Sequence, residues 1–257
     1  MRQYFLLGAL CLAGFAFVGT TVAAGQTPGP VAPTQPKAAA PVGPVYVERK
    51  PPTSPSRVEK LSATSLRIGA VHVDMARKEV SVLGQVNDVP QLEFLVNTKG
   101  GYKSYESAIE AECTAIDFNL GLVLIGLDRD RATARPRFHF DPIPPQGDQV
   151  EVWISWKMGA EEKRVRGEDL IYDERSKKAL AASRWIYTGS QFFPGSRAFL
   201  ADVDGVLIGF VHTPAPLIER SEPIPGSFGS VKFNPTLGLT PGMPVTVTVR
   251  AVPLTKK

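Results

Sequence analysis

Four small groups of residues carry the side-chain types that do chemistry. His72-Val73-Asp74 and His139-Phe140-Asp141 repeat a His-x-Asp pattern. In an extended chain the period of two puts both polar side chains of each triplet on one face. Two such strands side by side would offer a His₂Asp₂ donor set of the kind that holds a metal ion. Against this, Val71 and Val73, and likewise Phe138 and Phe140, supply the apolar face of the same runs. His72, Asp74, His139 and Asp141 then become the wet face of ordinary strands, and this is the favoured reading. Glu93 lies in the apolar stretch LEFLV, where burial demands a partner, and Arg67 or Lys103 could supply it. With Glu106 and Ser107 it would make a hydrolytic carboxylate–hydroxyl group, but a structural ion pair is favoured over catalysis. Asp202-Val203-Asp204-Gly205 has the spacing of a phosphatase nucleophile loop, in which one carboxylate attacks phosphorus and the next moves the proton. Trp153, Trp156, Trp185 and Tyr187 are candidates for a sugar-stacking groove, although aromatics at strand spacing are more often core.

These residues need elements to hold them. LRIGAVHV and KEVSVLGQV alternate apolar and polar side chains around DMARK, which predicts an antiparallel hairpin. QLEFLVNT and YKSYESAIEAE form a second expected pair turned at Lys99-Gly100-Gly101. In TAIDFNLGLVLIGLD the period changes. Ile116, Leu120, Val123, Leu124 and Leu127 fall at helical spacing, with Thr114 placed to cap and Asp117 three residues on. One buried amphipathic helix is expected over about 114–127, with Gly126 as a candidate end. DQVEVWISWKMG and MPVTVTVRAV read as clean strands. Strands outnumber helices and β–α–β alternation is missing, so the expected fold is α+β: β-rich, mainly antiparallel, with one principal helix.

That organisation excludes a haloacid-dehalogenase-type phosphatase, whose nucleophile must end a parallel strand and precede a helix. Mg²⁺ would also require further carboxylates, yet after Asp204 the only acids are Glu219 and Glu222. Asp204-Gly205 is instead expected to turn a hairpin between RAFLAD and VLIGFVHT. No metal or other cofactor is expected.

The ends of the chain speak of location. Residues 1–24 run from Arg2 through an apolar stretch, Phe5–Val18, to Val22-Ala23-Ala24, the three-part order of a secretory signal cleaved before Gly25. The alternative is an uncleaved N-terminal tether. In residues 25–59, nine prolines among few apolar side chains predict a disordered, semi-rigid spacer. Residues 60–257 are expected to form one domain. The protein is therefore expected to be exported, periplasmic or secreted, with no integral membrane domain beyond the signal segment. Without the signal, Cys113 is the one remaining cysteine; its apolar surroundings predict burial, and Glu110 and Glu112 disfavour a thiolate. The pI near 9.1 suggests a basic protein, but residues 60–257 hold 24 basic and 23 acidic side chains, a net of 24 − 23 = +1. There is no basic field for nucleic acid; the sequence identifies no partner, and a cell-envelope component or a glycan is a candidate.

Read in order, LRIGAVHVD with KEVSVLGQVN, LEFLVNTKGG with YESAIEA, DFNLGLVLIGL, and RWIYTGSQF with FLADVDGVLIGFVH resemble the YdjY-domain family of exported bacterial proteins, over about residues 66–213. The resemblance implies family and export, and no reaction. It departs from the family pattern at Tyr105, where His often precedes the Glu-Ser pair, and this weakens a metal role for Glu106. The leading expectation is an exported, non-catalytic binding or structural module. The alternatives are a metal- or carboxylate-dependent hydrolase using Glu106 with His72 or His139, and a carbohydrate-binding domain using the aromatic set.

Overall fold

The alternating runs become a closed barrel. The computed structural model describes residues 55–253 apart from 194, 196–197, 223 and 225–228; the expected signal (1–24) and most of the spacer (25–54) lie outside the described residues. In chain order the strands are β1 (Val58–Lys60), β2 (Ser65–Ile68), β3 (Val71–Asp74), β4 (Glu79–Val86), β5 (Phe94–Thr98), β6 (Ser107–Ala111), β7 (Asp148–Met158), β8 (Glu161–Arg166), β9 (Ile171–Asp173), β10 (Lys178–Ala179), β11 (Trp185–Tyr187), β12 (Val206–Gly209), β13 (Ile218–Arg220), β14 (Val231–Phe233) and β15 (Pro244–Ala251). The helices are α1 (Ala115–Leu124) and α2 (Leu200–Asp204).

Eight of the strands close on themselves in the order β4–β15–β7–β11–β13–β12–β5–β6, and β6 returns to β4 through Gly84↔Ala111 and Val86↔Ile109. This corrects the expected α+β fold with a mainly antiparallel sheet: the structure is a mixed β-barrel with one short principal helix. Two neighbouring pairs, β5–β6 and β12–β13, run parallel. Lys99-Gly100-Gly101 therefore does not turn a hairpin. A 3₁₀ turn at Tyr102–Glu106 carries the chain back to start β6 beside the beginning of β5, Phe94 opposite Ser107. Period-two alternation reports which face of a strand is buried but not the direction of its neighbour, which is why this part of the expectation failed.

The antiparallel half follows its pattern closely. β3 pairs β4 through Val73↔Val80, and β15 pairs both β4 and β7 along their lengths. Val150, Val152, Ile154 and Trp156 bury one face of β7, and Val245, Val247 and Val249 bury that of β15. An eight-stranded barrel is just wide enough for side chains to fill.

α1 is shorter than the expected 114–127 and turned in phase. Thr114 caps it, accepting from the Asp117 amide at 3.2 Å, and Gly126 follows its end at φ +97°. The buried face is Ala115, Phe118, Gly121 and Leu122, whereas Val123 and Leu124 are exposed. Gly121 explains the rotation. A Cβ there would stand 3.2–3.3 Å from methyls of Val80, Val71 and Val73, so the glycine lets the helix approach the strands on its leanest face. The expected Asp204-Gly205 hairpin is also corrected. Leu200–Asp204 is one helical turn, closed by Gly205 in the left-handed region at φ +72°. Its Asp202 accepts from the Ala115 amide at 2.8 Å and so caps α1 from 87 residues away. Burial raises the Asp202 carboxyl to about 6, although the amides it meets pull the other way.

Candidate functional site

The two parallel pairs force the chain to cross over twice, at residues 99–106 and 210–217, and the buried charges gather where it does so. Glu93 sits between the crossovers. Its amide donates to the Glu106 carbonyl (2.8 Å), and its own carbonyl accepts from Val211 (3.3 Å). The loop after Arg137 is tied to the same place, because the Phe140 amide donates to the His212 carbonyl at 2.8 Å. Phe140 is left-handed at φ +62°, a conformation that costs a non-glycine residue about 1–2 kcal/mol, and this brings His139 over Glu93. The last element is set by two glycines. Gly101 and Gly205 pack back to back, with the Thr98 amide donating to the Gly205 carbonyl at 2.7 Å. No side chain fits between them. The 3₁₀ turn and the end of α2 therefore meet, and Asp204 comes into electrostatic range of Lys103 and Glu106.

The resulting cluster is Glu93, Lys103, Glu106, His139 and Asp204. Lys103 Nζ donates to Glu106 Oε1 at 2.6 Å and to the Tyr105 hydroxyl at 3.2 Å. It also lies 5.5–5.9 Å from the ring centres of Tyr105, Tyr102 and Phe94. Burial alone would lower its pKa, but the bonds to Glu106 and Tyr105 outweigh this and hold the ammonium above its ordinary value. Glu93 is the opposite case. It is 4% exposed, and its Oε2 has no hydrogen-bond partner among the described residues. His139 Nε2 stands 3.4 Å from that oxygen without bonding geometry. Burial, with the charge of Glu106 added, pushes the Glu93 carboxyl up to about 7 against the pull of Lys103. His139 is moved down by burial and by the Lys103 charge, and Asp204 up by burial.

The structure thus brings Glu93, Glu106 and His139 together and leaves their sequence companions elsewhere. The ion pair expected for Glu93 belongs instead to Glu106. Arg67 pairs with Glu59 across β1 and β2. Ser107 is fully buried, with its hydroxyl donating to the Lys103 carbonyl at 2.7 Å. His72 is bonded to Ser65 Oγ at 2.8 Å, and Asp74 accepts from the Arg77 amide at 2.9 Å in the β3–β4 turn. Asp141 accepts from the amides of Ile143 and Arg137, both at 3.0 Å, which hold it below the usual carboxylate range. Among the described residues no group of three His, Cys, Asp or Glu side chains is placed to hold a metal ion. Of the aromatic set, Trp156, Trp185 and Tyr187 are buried. Trp153 lies between the guanidinium groups of Arg164 and Arg166, 4.7 and 4.9 Å from its ring centre. Burial, then the nearby carboxylates of Asp117, Asp202 and Glu112, push the Cys113 thiol up, away from reactivity.

Sequence reasoning missed Lys103 and Asp204 as members of one site. It also missed a second buried acid, Glu219, fully enclosed beside the other crossover. Among the described residues Glu219 accepts only from the Thr213 amide, at 3.2 Å, and burial holds it well above the ordinary range. A glutamate directly after the apolar stretch APLI was the available signal. The aromatic rings near the cluster that reach solvent are Tyr102, Tyr105, Phe138 and Phe140, the last two about half exposed.

No helix among the described residues is long and apolar enough to cross a membrane. The family model described as the YdjY domain matches residues 71–250, running on past residue 213 to take in β15, a strand the barrel needs in order to close. Comparison with curated proteins gives no match, nor does comparison with solved structures.

Proposed function

The chain belongs to the YdjY-domain family, and on that premise we propose that it is an exported binding module whose ligand site is the Glu93 cluster at the crossovers of the barrel. Export rests on the basic–apolar–small order of residues 1–24. Binding rests on one observation: Glu93 is 4% exposed, one of its carboxyl oxygens has no hydrogen-bond partner among the described residues, and other ionisable groups stand beside it. A buried carboxyl without a donor costs stability. The Lys103 charge offsets only part of that cost, so a ligand is the natural recipient of its unused bonding capacity. The rim of Tyr102, Tyr105, Phe138 and Phe140 adds apolar surface that water alone does not reward. The hydrolase reading is weaker, because the hydroxyl of Ser107 is enclosed and occupied.

The decisive measurement is the stability of Glu93→Gln. A residue kept for binding at the expense of the fold makes the variant more stable at pH 8. A variant less stable at every pH would return Glu93 to a structural role and end this reading.

A further inference from the structure

We infer that the ligand is an organic ammonium, a protonated amine carried on an apolar or aromatic body. The inference rests on the ligand site proposed above and adds its chemical class. The charges around Glu93 and around its neighbours Lys103 and Glu106 come from several elements. The 3₁₀ turn brings Lys103, Tyr105 and Glu106, the end of α2 brings Asp204, and the loop after Arg137 brings His139. The second crossover brings His212, whose ring nitrogens are each 2.8 Å from a carbonyl, that of Asp141 and that of Arg220. Three carboxyls therefore face one ammonium, and that ammonium is already committed to Glu106 and Tyr105.

An anionic ligand would meet Glu93 and Asp204 as like charges. A neutral hydroxyl would satisfy the orphaned oxygen but leave the excess negative charge. An ammonium does both. The chain holds its own small copy of this chemistry, since Lys103 lies among the faces of Phe94, Tyr102 and Tyr105 with a carboxylate at 2.6 Å. His139, whose side chain is 42% exposed, is the half-exposed neighbour of Glu93 Oε2. Its Nε2 stands 3.4 Å from that oxygen without a hydrogen bond to it, and its ring packs against Phe140 with 4.2 Å between ring centres. An incoming N–H therefore displaces a contact and breaks no bond to that oxygen.

The test uses the whole chain with two probes of equal shape, benzylamine and benzyl alcohol, followed by the amide NMR shifts of residues 93–106 and 137–143. A carboxyl of pKa about 7 goes from roughly a tenth ionised at pH 6 to roughly nine tenths at pH 8. Benzylamine should accordingly bind about tenfold more tightly at pH 8 than at pH 6, while benzyl alcohol binds weakly at both. In Glu93→Gln the amine should lose about tenfold in affinity at pH 8, together with its pH dependence. Amine binding that ignores both pH and Glu93→Gln overturns the inference. If the alcohol shifts the same amides as strongly as the amine, the ammonium class is wrong but the site stands. If neither probe shifts them, the site reading falls with it.

Discussion

Glu79 and Glu93 are both buried acids on the same barrel, and the protein treats them in opposite ways. Glu79, on β4, is held by Arg250 and by Arg77 at 2.6 Å. It continues along an outer ladder in which Arg250 lies 4.0 Å and Arg166 3.0 Å from Glu151. Glu93, entering β5, has one oxygen with no bond and a carboxyl raised to about 7. The difference follows the sheet. In the antiparallel half, β4, β15 and β7 lie side by side over many residues, so long basic side chains stand across from acids at regular cross-strand spacing. In the parallel half the strands are short, and the chain crosses over twice to join them. Charges brought there meet whatever the crossovers carry. One half is arranged for stability, and the other tolerates local cost.

Five substitutions sharpen or break this contrast. The largest effect is expected from Gly205→Ala. A Cβ there overlaps the Gly101 backbone as well as straining a left-handed residue, so urea unfolding should show a loss of about 3–4 kcal/mol. Gly159→Ala is its control in the antiparallel half: φ is +64° but nothing lies within 4 Å, and it should cost only about 1 kcal/mol.

Glu93→Gln should act in the other direction. A carboxyl whose folded pKa is raised from 4.5 to about 7 contributes favourably below pH 4.5, and that contribution is lost as the pH rises through 7. The neutral glutamine should therefore gain on the order of 2–3 kcal/mol at pH 8 and almost nothing at pH 4, read from paired denaturation curves.

Asp202→Ala removes the acceptor of the Ala115 amide and should cost about 1–2 kcal/mol at pH 4. Its folded pKa is also raised, from 3.8 to about 6, so the cost should shrink by pH 8, where the native carboxylate is ionised and penalised by burial. Glu79→Gln is the smallest of the set. Its two arginines are exposed to 62% (Arg77) and 40% (Arg250), so the loss should be about 1 kcal/mol and should fall in high salt. A gain of stability in this variant would erase the contrast with Glu93.

The sequence made the antiparallel half legible almost residue by residue. The β3–β4 hairpin, the buried valines of β7 and β15, and Thr114 as a helix cap all follow from local rules. Its errors share one physical origin. A parallel neighbour reached by a 3₁₀ crossover, a helix rotated to press Gly121 against three valines, and a single helical turn at DVDG in place of a hairpin are all decided by contacts distant in the chain. The site suffered most. Glu93 was conspicuous as a charge in an apolar run, and His139 as part of a repeated triplet, but Lys103 and Asp204 join them only because Gly101 and Gly205 touch.

From its residues alone, then, this protein has its family, its strand-rich character and its candidate acids, because side-chain alternation and the order of short motifs are properties of the chain itself. Closure of the barrel, the direction of β5 against β6 and of β12 against β13, and the isolation of one Glu93 oxygen are properties of the fold. Each depends on which segments end up side by side, and that is settled by burial across the whole molecule and not by any window of sequence.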